Sequence, residues 1–425
     1  MTGSLSSKIA LQFPALSHRP FRLFWSAQIV SLTGTWMQNL ALPWLVYQIT
    51  NSPFLLGLTG TLQFMPQLLL SPFAGTLADH VPKRTLVLIT QSLMTLISAL
   101  MGLLCFLNLA NFPTIVVLAV LAGLANTLDV PVRQALVGEL VGKDHLMNAI
   151  ALNSAVFNGA RIFGPALAGL VMALWGVAWC FTLNALSFLP AIAALSLVPR
   201  QPRRDLALSV HTLWKSTLQG FVYAFGNRHL RRILISVALM GILAFNFSVL
   251  LPVLVKQSFG LGEAAFGGLL SAMGVGSLLS ALMMAGFSKN GPKAIFLRFA
   301  PLVTAVTFVG LALADNYGLA LLLMGVAGFA NITFFTTANS DLQGSAETSY
   351  RGRVIALYSL FFGGMTPFGN FLSGTLAQTG GARLAFLVTG GLLFVGFVIL
   401  GLGIARTGRR EREALPGSTL DGVDD

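Results

Sequence analysis

Apolar segments of about twenty residues recur along the whole chain, separated by short polar connections. A helix rises about 1.5 Å per residue, so about 20 apolar residues cross the roughly 30 Å hydrocarbon core of a bilayer. Only 9% of the 425 residues are charged, whereas ordinary soluble domains carry about 25%. A soluble fold is therefore excluded, and the sequence predicts an all-α membrane protein with many spans.

The lengths of these segments predict twelve transmembrane helices. We place them at residues 24–48, 53–77, 84–107, 113–131, 149–172, 177–197, 230–256, 263–287, 294–313, 317–340, 353–377 and 383–405. The longest connection divides them into six and six. The predicted parts are a first six-helix bundle in residues 1–198, a linker in 199–229, a second bundle in 230–406 and a tail in 407–425. Within the linker, residues 213–225 are amphipathic and predict a short helix on the membrane surface.

The distribution of Lys and Arg predicts the orientation. Twelve spans put both termini on one side of the membrane, and 22 of the 26 Lys and Arg residues lie on that side. Cytoplasmic loops are enriched in these residues, so we predict that both termini are cytoplasmic. The net charge of +12 then belongs to cytoplasmic loops and gives no indication of nucleic-acid binding.

Short sequences recur in the two halves in the same order. FGPALAG at 163–169 returns as FGNFLSG at 368–374, and GLAN at 123–126 returns as GFAN at 328–331. Six spans between copies preserve orientation, so the halves are parallel repeats related by an axis along the membrane normal. Two such bundles facing each other across a midplane cavity predict an alternating-access transporter of a small molecule.

Two motifs resemble those of a known family. GTLADHVPKR at 75–84 resembles the signature loop of the major facilitator superfamily, although it carries His80 and Pro82 where the family usually has Arg and Gly. Gly164, Pro165 and Gly169 are similar to the glycine and proline motif of the family's antiporters. Residues 20–200 resemble the bacterial branch of enterobactin exporters and macrolide efflux pumps, notably in TWMQNLALPWLVYQIT, DVPVRQALV and NGARIFGPALAG.

This resemblance implies the major facilitator fold of two pseudo-symmetric six-helix bundles, in a monomeric, proton-driven exporter of the bacterial inner (plasma) membrane. It also implies a conformational gate in which Asp79 meets Arg353 at the start of the eleventh span. The remaining gate residues are Gly75, Lys83 and Arg84. The alternative is a solvated loop whose basic pair only sets the topology.

The first span carries a polar stripe. Its members fall within an arc of about 100° at about 100° per residue, and they are Gln28, Ser31, Thr35, Gln38 and Asn39. The stripe predicts a substrate pathway; the alternative is that it supplies only hydrogen bonds between helices.

The copy of this region in the seventh span has Phe245 and Asn246 instead, which predicts an aromatic second wall. Together the two walls favour an amphipathic or partly aromatic cargo. The alternative for the aromatic cluster is ordinary helix packing.

Two of the charged residues within or near spans are candidates for function. Arg161 falls near the middle of the fifth span, so it should face the bundle interior and have a partner. It either binds neighbouring helix ends and polar groups or attracts a carboxylate or catecholate cargo. Asp129 is our candidate for proton coupling, and the alternative is a helix-end carboxylate paired with Arg133. In the fifth span, Gly164 and Gly169 predict close helix packing, and Pro165 predicts bending.

The sequence contains no recognisable nucleotide-binding motif, metal-ligand cluster or catalytic constellation. We therefore expect neither an enzyme nor a bound cofactor or metal. The leading prediction is a proton-coupled exporter of a siderophore or a lipophilic drug. A lipid or lysolipid flippase and a non-transporting membrane receptor or scaffold are the alternatives.

Overall fold

The computed structural model describes residues 13–80, 82–198, 210–287 and 294–413. Within them, residues 71–80, 210–217 and 401–413 are described by their helical backbone, without side chains. Nearly all of the described chain is helical, and its long helices run side by side in two halves.

The first half contains six long helices after a 3-10 turn at Pro14–Ser17. They are α1 (Arg19–Thr50), α2 (Pro53–His80), α3 (Lys83–Phe106), α4 (Phe112–Val141), α5 (Leu146–Trp175) and α6 (Val177–Ser196). The linker forms α7 (Val210–Gly226), which covers the amphipathic stretch predicted at 213–225.

The second half also makes six crossings, two of which are interrupted. Its helices are α8 (Arg228–Leu243), α9 (Phe247–Val253) followed by a π-helical turn (Leu254–Ser258), α10 (Glu263–Phe287), α11 (Ala294–Leu313), α12 (Tyr317–Ser345), α13 (Arg351–Gly363) and α14 (Thr366–Glu413). Gly380 and Gly381 have non-helical dihedrals, and the φ of Gly381 is +74°, so α14 contains two crossings joined by a kink.

Asparagine side chains begin several of these helices. Asn111 accepts a hydrogen bond from the Thr114 backbone N–H at the start of α4, and Asn316 accepts one from Leu319 N at the start of α12. The first N–H groups of a helix have no partner within it, so such caps define where the helix begins.

The predicted all-α fold with twelve crossings is confirmed. Ten helical stretches among the described residues are long and apolar enough to cross a membrane, and one of them, Arg351–Leu400, holds two crossings. Helix α1 is not among the ten, because its polar side chains lower its mean hydropathy. The predicted end of the fourth span at 131 was wrong: Pro131 lies inside α4, which continues to Val141.

Two crossings of the second half are interrupted at positions where the sequence predicted continuous helices. The helix is continuous through Pro165, whereas the crossing made by α8 and α9 is broken at residues 244–246. The crossing that begins with α13 is broken at Gly364 and Met365. Bending at Pro165 during the transport cycle stays a prediction, since a proline within a packed bundle does not by itself break a helix.

Among the residues whose side chains the structure describes, contacts between the halves are concentrated away from the face that carries the starts of α1, α8 and α13. We call that face the terminal face and the opposite one the distal face. Helices α2 and α14 touch at Gly57 and Gly374, and α5 and α10 touch at Gly169 and Gly267. These pairs lie between the middle of the bundle and the distal face, so the halves are held together on that side.

Candidate functional site

A polar cavity of about 90 Å³ opens near the middle of the first half. Five helices line it, and none of its lining residues is charged. Its amide and hydroxyl side chains come from Thr35, Gln38, Asn39, Gln63, Gln67, Ser98, Asn126 and Asn184. Such a surface can donate and accept many hydrogen bonds without carrying a net charge.

A hydrogen-bond network fixes one wall of this cavity. Ser98 Oγ donates to Gln38 Oε1 at 2.6 Å, and Asn184 Nδ2 donates to the same oxygen at 2.7 Å. Gly34 lets α6 approach α1 here, since a Cβ on Gly34 would lie 2.7 Å from Asn184 Oδ1. The Gln38 amide is thereby held in one orientation, with its Oε1 already satisfied by protein donors.

Only part of the polar stripe predicted on α1 lines the cavity. Thr35, Gln38 and Asn39 line the cavity, whereas Gln28 and Ser31 do not. Both are buried, with Gln28 Nε2 and Ser31 Oγ lacking hydrogen-bond partners. They lie nearer the terminal face, where the α1 side chains pack in an apolar cluster with α4. Gln28 and Ser31 are therefore not part of this cavity, and their place in the substrate pathway stays a prediction.

Several cavity residues escaped the sequence analysis. Gln63 and Gln67 stand four residues apart in an otherwise apolar span, so the reasoning applied to α1 would have found them. Gln67 also packs against Gly363, at the break between α13 and α14. Ser98, Asn126 and Asn184 are isolated polar residues on three other helices, and only the packing of those helices brings them together.

Aromatic side chains cluster in the second half beside this break. Phe245 and Phe362 have ring centroids 5.3 Å apart, and Phe362 and Phe335 are separated by 4.6 Å. The Tyr358 ring lies parallel to Phe362 at 5.9 Å. Neither Phe245 nor Asn246 lines the polar cavity itself, and their place in an aromatic second wall stays a prediction. Asn246 is buried against Gly369 because the helix is broken there, and its Oδ1 has no hydrogen-bond partner.

Arg161 lies at the middle of α5, next to α1. Its guanidinium carbon stands 5.9 Å from the centre of the Trp36 ring, and its Nε is buried without a hydrogen-bond acceptor. Within the described part of the chain Arg161 forms no ion pair. Its protein partner is therefore an aromatic ring rather than a carboxylate.

Asp129 is fully buried and has several partners. It accepts hydrogen bonds from Thr90 Oγ1 at 2.8 Å and from Gln91 Nε2 at 3.1 Å. Arg133 Nε lies 3.1 Å from its second oxygen. This geometry agrees with the alternative given in the sequence analysis, in which Asp129 is a carboxylate paired with Arg133.

The basic pair of the signature loop binds within the first half. Lys83 Nζ donates to Glu139 Oε1 at 2.6 Å, and Arg84 donates to the backbone oxygens of Leu195 and Ser196 at the end of α6. These contacts tie α3 to α4 and α6 and do not reach the second half, and the gate role of Lys83 and Arg84 stays a prediction.

The other predicted gate residues are only partly described. For Gly75 and Asp79 the structure describes only the helical backbone, and the side chain of Asp79 lies outside the described part of the chain. The Arg353 guanidinium lies over the Tyr350 ring at 5.0 Å, and its stem packs against Gly220 of α7. The linker helix thus contacts the start of the eleventh crossing.

The glycines of α5 permit close approach on both of its sides. A Cβ on Gly164 would lie 3.2 Å from the Thr33 backbone oxygen of α1. A Cβ on Gly169 would lie 3.1 Å from the Gly267 Cα of α10. The backbone oxygen of Pro165 also faces Gly267, so all three motif residues lie at helix contacts.

Two six-crossing halves in contact on the distal side, with a polar cavity at mid-depth in the first half, are the architecture of a membrane transporter. The chain belongs to the transmembrane secretion effector family of the major facilitator superfamily, whose family model matches residues 10–414.

Individual relatives agree with this assignment. The chain is 24% identical to the staphyloferrin A transporter of Staphylococcus aureus, with 87% of this chain and 92% of the relative covered. It is 26% identical to the multidrug efflux pump Tap of Mycolicibacterium fortuitum, with 87% and 91% covered. The crystal structure of the nucleoside transporter NupG superposes with a TM-score of 0.73 at 14% identity, covering 90% of this chain and 99% of NupG, and so shares the fold.

Proposed function

We propose that the protein exports a small amphipathic molecule, a siderophore or a lipophilic drug, from the cytoplasm in exchange for protons. The observation that carries the proposal is the amide-lined cavity of the first half, which lies beside an aromatic cluster of the second. The names of the relatives, a siderophore transporter and a multidrug efflux pump, support the same cargo classes.

The proposed location is the bacterial inner membrane, with the terminal face and both termini in the cytoplasm. This orientation rests on the excess of Lys and Arg on the terminal side. The described contacts between the halves then lie toward the outside, and we assign the described conformation to the inward-facing state as part of this proposal. An exporter takes up its cargo in that state.

The side chains of the site restrict the chemical classes of cargo that it can bind. Amide and hydroxyl groups favour a molecule with several hydrogen-bonding groups, and the aromatic cluster favours a ring or another flat apolar surface. Arg161 lies outside the lining of the cavity, over the Trp36 ring, and its positive charge there favours a carboxylate or catecholate group on the cargo. A purely apolar lipid would leave these polar groups without partners.

Uptake into everted membrane vesicles tests the proposal. With an imposed pH gradient, we expect accumulation of at least one compound from a panel of siderophores, macrolides and cationic dyes, and its loss when a protonophore collapses the gradient. Lipid movement without uptake of any small molecule would favour a flippase. Absence of any substrate-dependent proton movement in proteoliposomes would favour a receptor or scaffold.

Asp129→Asn is expected to reduce proton-driven export, because it removes the one carboxylate in the Thr90, Gln91 and Arg133 cluster that can bind a proton. The measurement is the pH dependence of uptake into everted vesicles.

Arg133→Gln is the matched control, since it breaks the same ion pair and leaves the carboxylate in place. Loss of one partner of a buried pair costs about 3–5 kcal/mol, so both variants should lose thermal stability. A coupling role requires that only Asp129→Asn alters the pH profile; identical profiles in the two variants would leave Asp129 structural.

Asp79→Asn is expected to slow the transport cycle while the protein still folds, because the change removes a charge and keeps the side chain's size. A gate of about 1 to 3 kcal/mol shifts the balance between two states by one or two orders of magnitude. Turnover is compared with that of His80→Asn, the adjacent departure from the family signature. Wild-type turnover in folded Asp79→Asn protein would eliminate the gate.

A further inference from the structure

A tryptophan of the first half is held by the second half near the distal face. Trp44, close to the end of α1, donates from Nε1 to Oε1 of Glu263 at 3.1 Å. Its ring stacks on Phe266 of α10, with centroids 5.8 Å apart and planes inclined by 23°. Trp44 is only 5% exposed, so both its ring and its N–H are engaged by the opposite half.

The position of Glu263 strengthens this hydrogen bond. Glu263 is the first residue of α10, where the positive end of the helix dipole stabilises a carboxylate. A hydrogen bond to an ionised acceptor is roughly twice as strong as a neutral one. A charged residue here therefore contributes more to the contact between the halves than an amide would.

The bond lies within a wider set of contacts between the halves. A Cβ on Gly169 would lie 3.2 Å from the Glu263 backbone oxygen, so α5 packs directly beside the bond. At the far side of the same face, Ser52 Oγ and the Phe54 N–H both donate to Gln378 Oε1. Among the residues that the structure describes, the hydrogen bond from Trp44 to Glu263 is the one contact of this set whose acceptor is a carboxylate.

We propose that Trp44 and Glu263 form a latch that keeps the outer side closed while the cytoplasmic side is open. The two residues belong to different halves, so outward opening must separate them in every transport cycle. The name of the outer side rests on the proposed orientation, whereas the latch itself rests on the contacts.

A buried reporter cysteine measures outward opening without knowledge of the cargo. Thr61 lies on α2 and donates to the Pro367 backbone oxygen across the contact between the halves. Thr61→Cys, in a background of Cys105→Ala and Cys180→Ala, should react slowly with a membrane-impermeant maleimide added to intact cells. Reaction is expected to accelerate whenever the outer side opens.

Trp44→Phe removes the N–H donor and keeps an aromatic ring, and it should accelerate labelling by about tenfold, the effect of losing one hydrogen bond to a charged group. Glu263→Gln should accelerate labelling less, because an amide oxygen still accepts the bond. The double variant should react no faster than Trp44→Phe alone, because the carboxylate has no effect on the latch once its donor is missing.

Two matched controls change a tryptophan and an acidic residue at the distal face, each of which makes its contact within its own half. Trp179→Phe alters a ring that packs on Phe106 of the first half, and Asp315→Asn alters an acid paired with Arg383 of the second. Neither should accelerate labelling. Unchanged labelling in Trp44→Phe, additive effects in the double variant, or equal effects in the controls would overturn the latch.

Labelling of inverted vesicles separates the latch from the orientation. If Thr61→Cys reacts from the face exposed in inverted vesicles and Trp44→Phe still accelerates that reaction, the latch holds and the proposed orientation fails.

Discussion

Arg161→Ala is expected to abolish export of an anionic cargo, and Arg161→Lys is expected to retain part of it. Lysine keeps the positive charge but lacks the planar fork that binds a carboxylate or catecholate through two hydrogen bonds. Binding of one anionic and one neutral compound to both variants is the decisive measurement. A cargo-binding role requires a much larger loss for the anionic compound.

Arg298→Ala is the matched control for this experiment. Arg298 is the other arginine that falls within a predicted span, and its side chain is exposed near the start of α11. Its removal should leave the affinity for both compounds unchanged. Equal losses of the two compounds in Arg161→Ala would leave Arg161 structural.

The size of the expected effect follows from what surrounds Arg161. An arginine at the centre of a membrane helix costs about 2.5–3.5 kcal/mol on insertion scales. A cation over an aromatic ring contributes about 0.5–2 kcal/mol, and Trp36 provides one such contact. With Nε unbonded and no ion pair among the described residues, an anionic cargo is the partner that would satisfy the charge.

The number and positions of the helices could be predicted from the sequence because bilayer thickness fixes the length of an apolar segment. The predicted starts at 53, 177, 263, 294 and 317 coincide with the first residues of α2, α6, α10, α11 and α12. The break at residues 244–246 was not predictable in the same way, since AFN contains neither glycine nor proline. Pro165, at which the sequence predicts bending, lies in a continuous helix.

The candidate site was harder to predict than the fold. Helical periodicity identified the face of α1 that carries Thr35, Gln38 and Asn39, because the angular position of a residue depends only on its spacing. Periodicity does not reveal how far along that face the neighbouring helices cover it, and so it could not show that Gln28 and Ser31 lie outside this cavity.

Gly57→Ala is expected to prevent the outer closure and to lower transport by tenfold or more. A Cβ on Gly57 would lie 2.6 Å from the Asn370 backbone oxygen and 2.7 Å from the Gly374 Cα. Both are backbone atoms of α14, so relief requires the two halves to move apart. Overpacking of this kind costs about 1–3 kcal/mol. It raises the free energy only of the state in which α2 and α14 touch.

Gly60→Ala supplies the matched control one turn further along α2. Its Cβ would meet the Asn370 side chain, with Nδ2 at 2.6 Å, and a side chain can turn away where a backbone cannot. Labelling of Thr61→Cys and uptake into everted vesicles are measured for both variants. Gly57→Ala should label fast and transport poorly, and Gly60→Ala should stay much closer to the parent protein. If the two alanine variants behaved alike, the backbone contact between Gly57 and Gly374 would not be what limits closure.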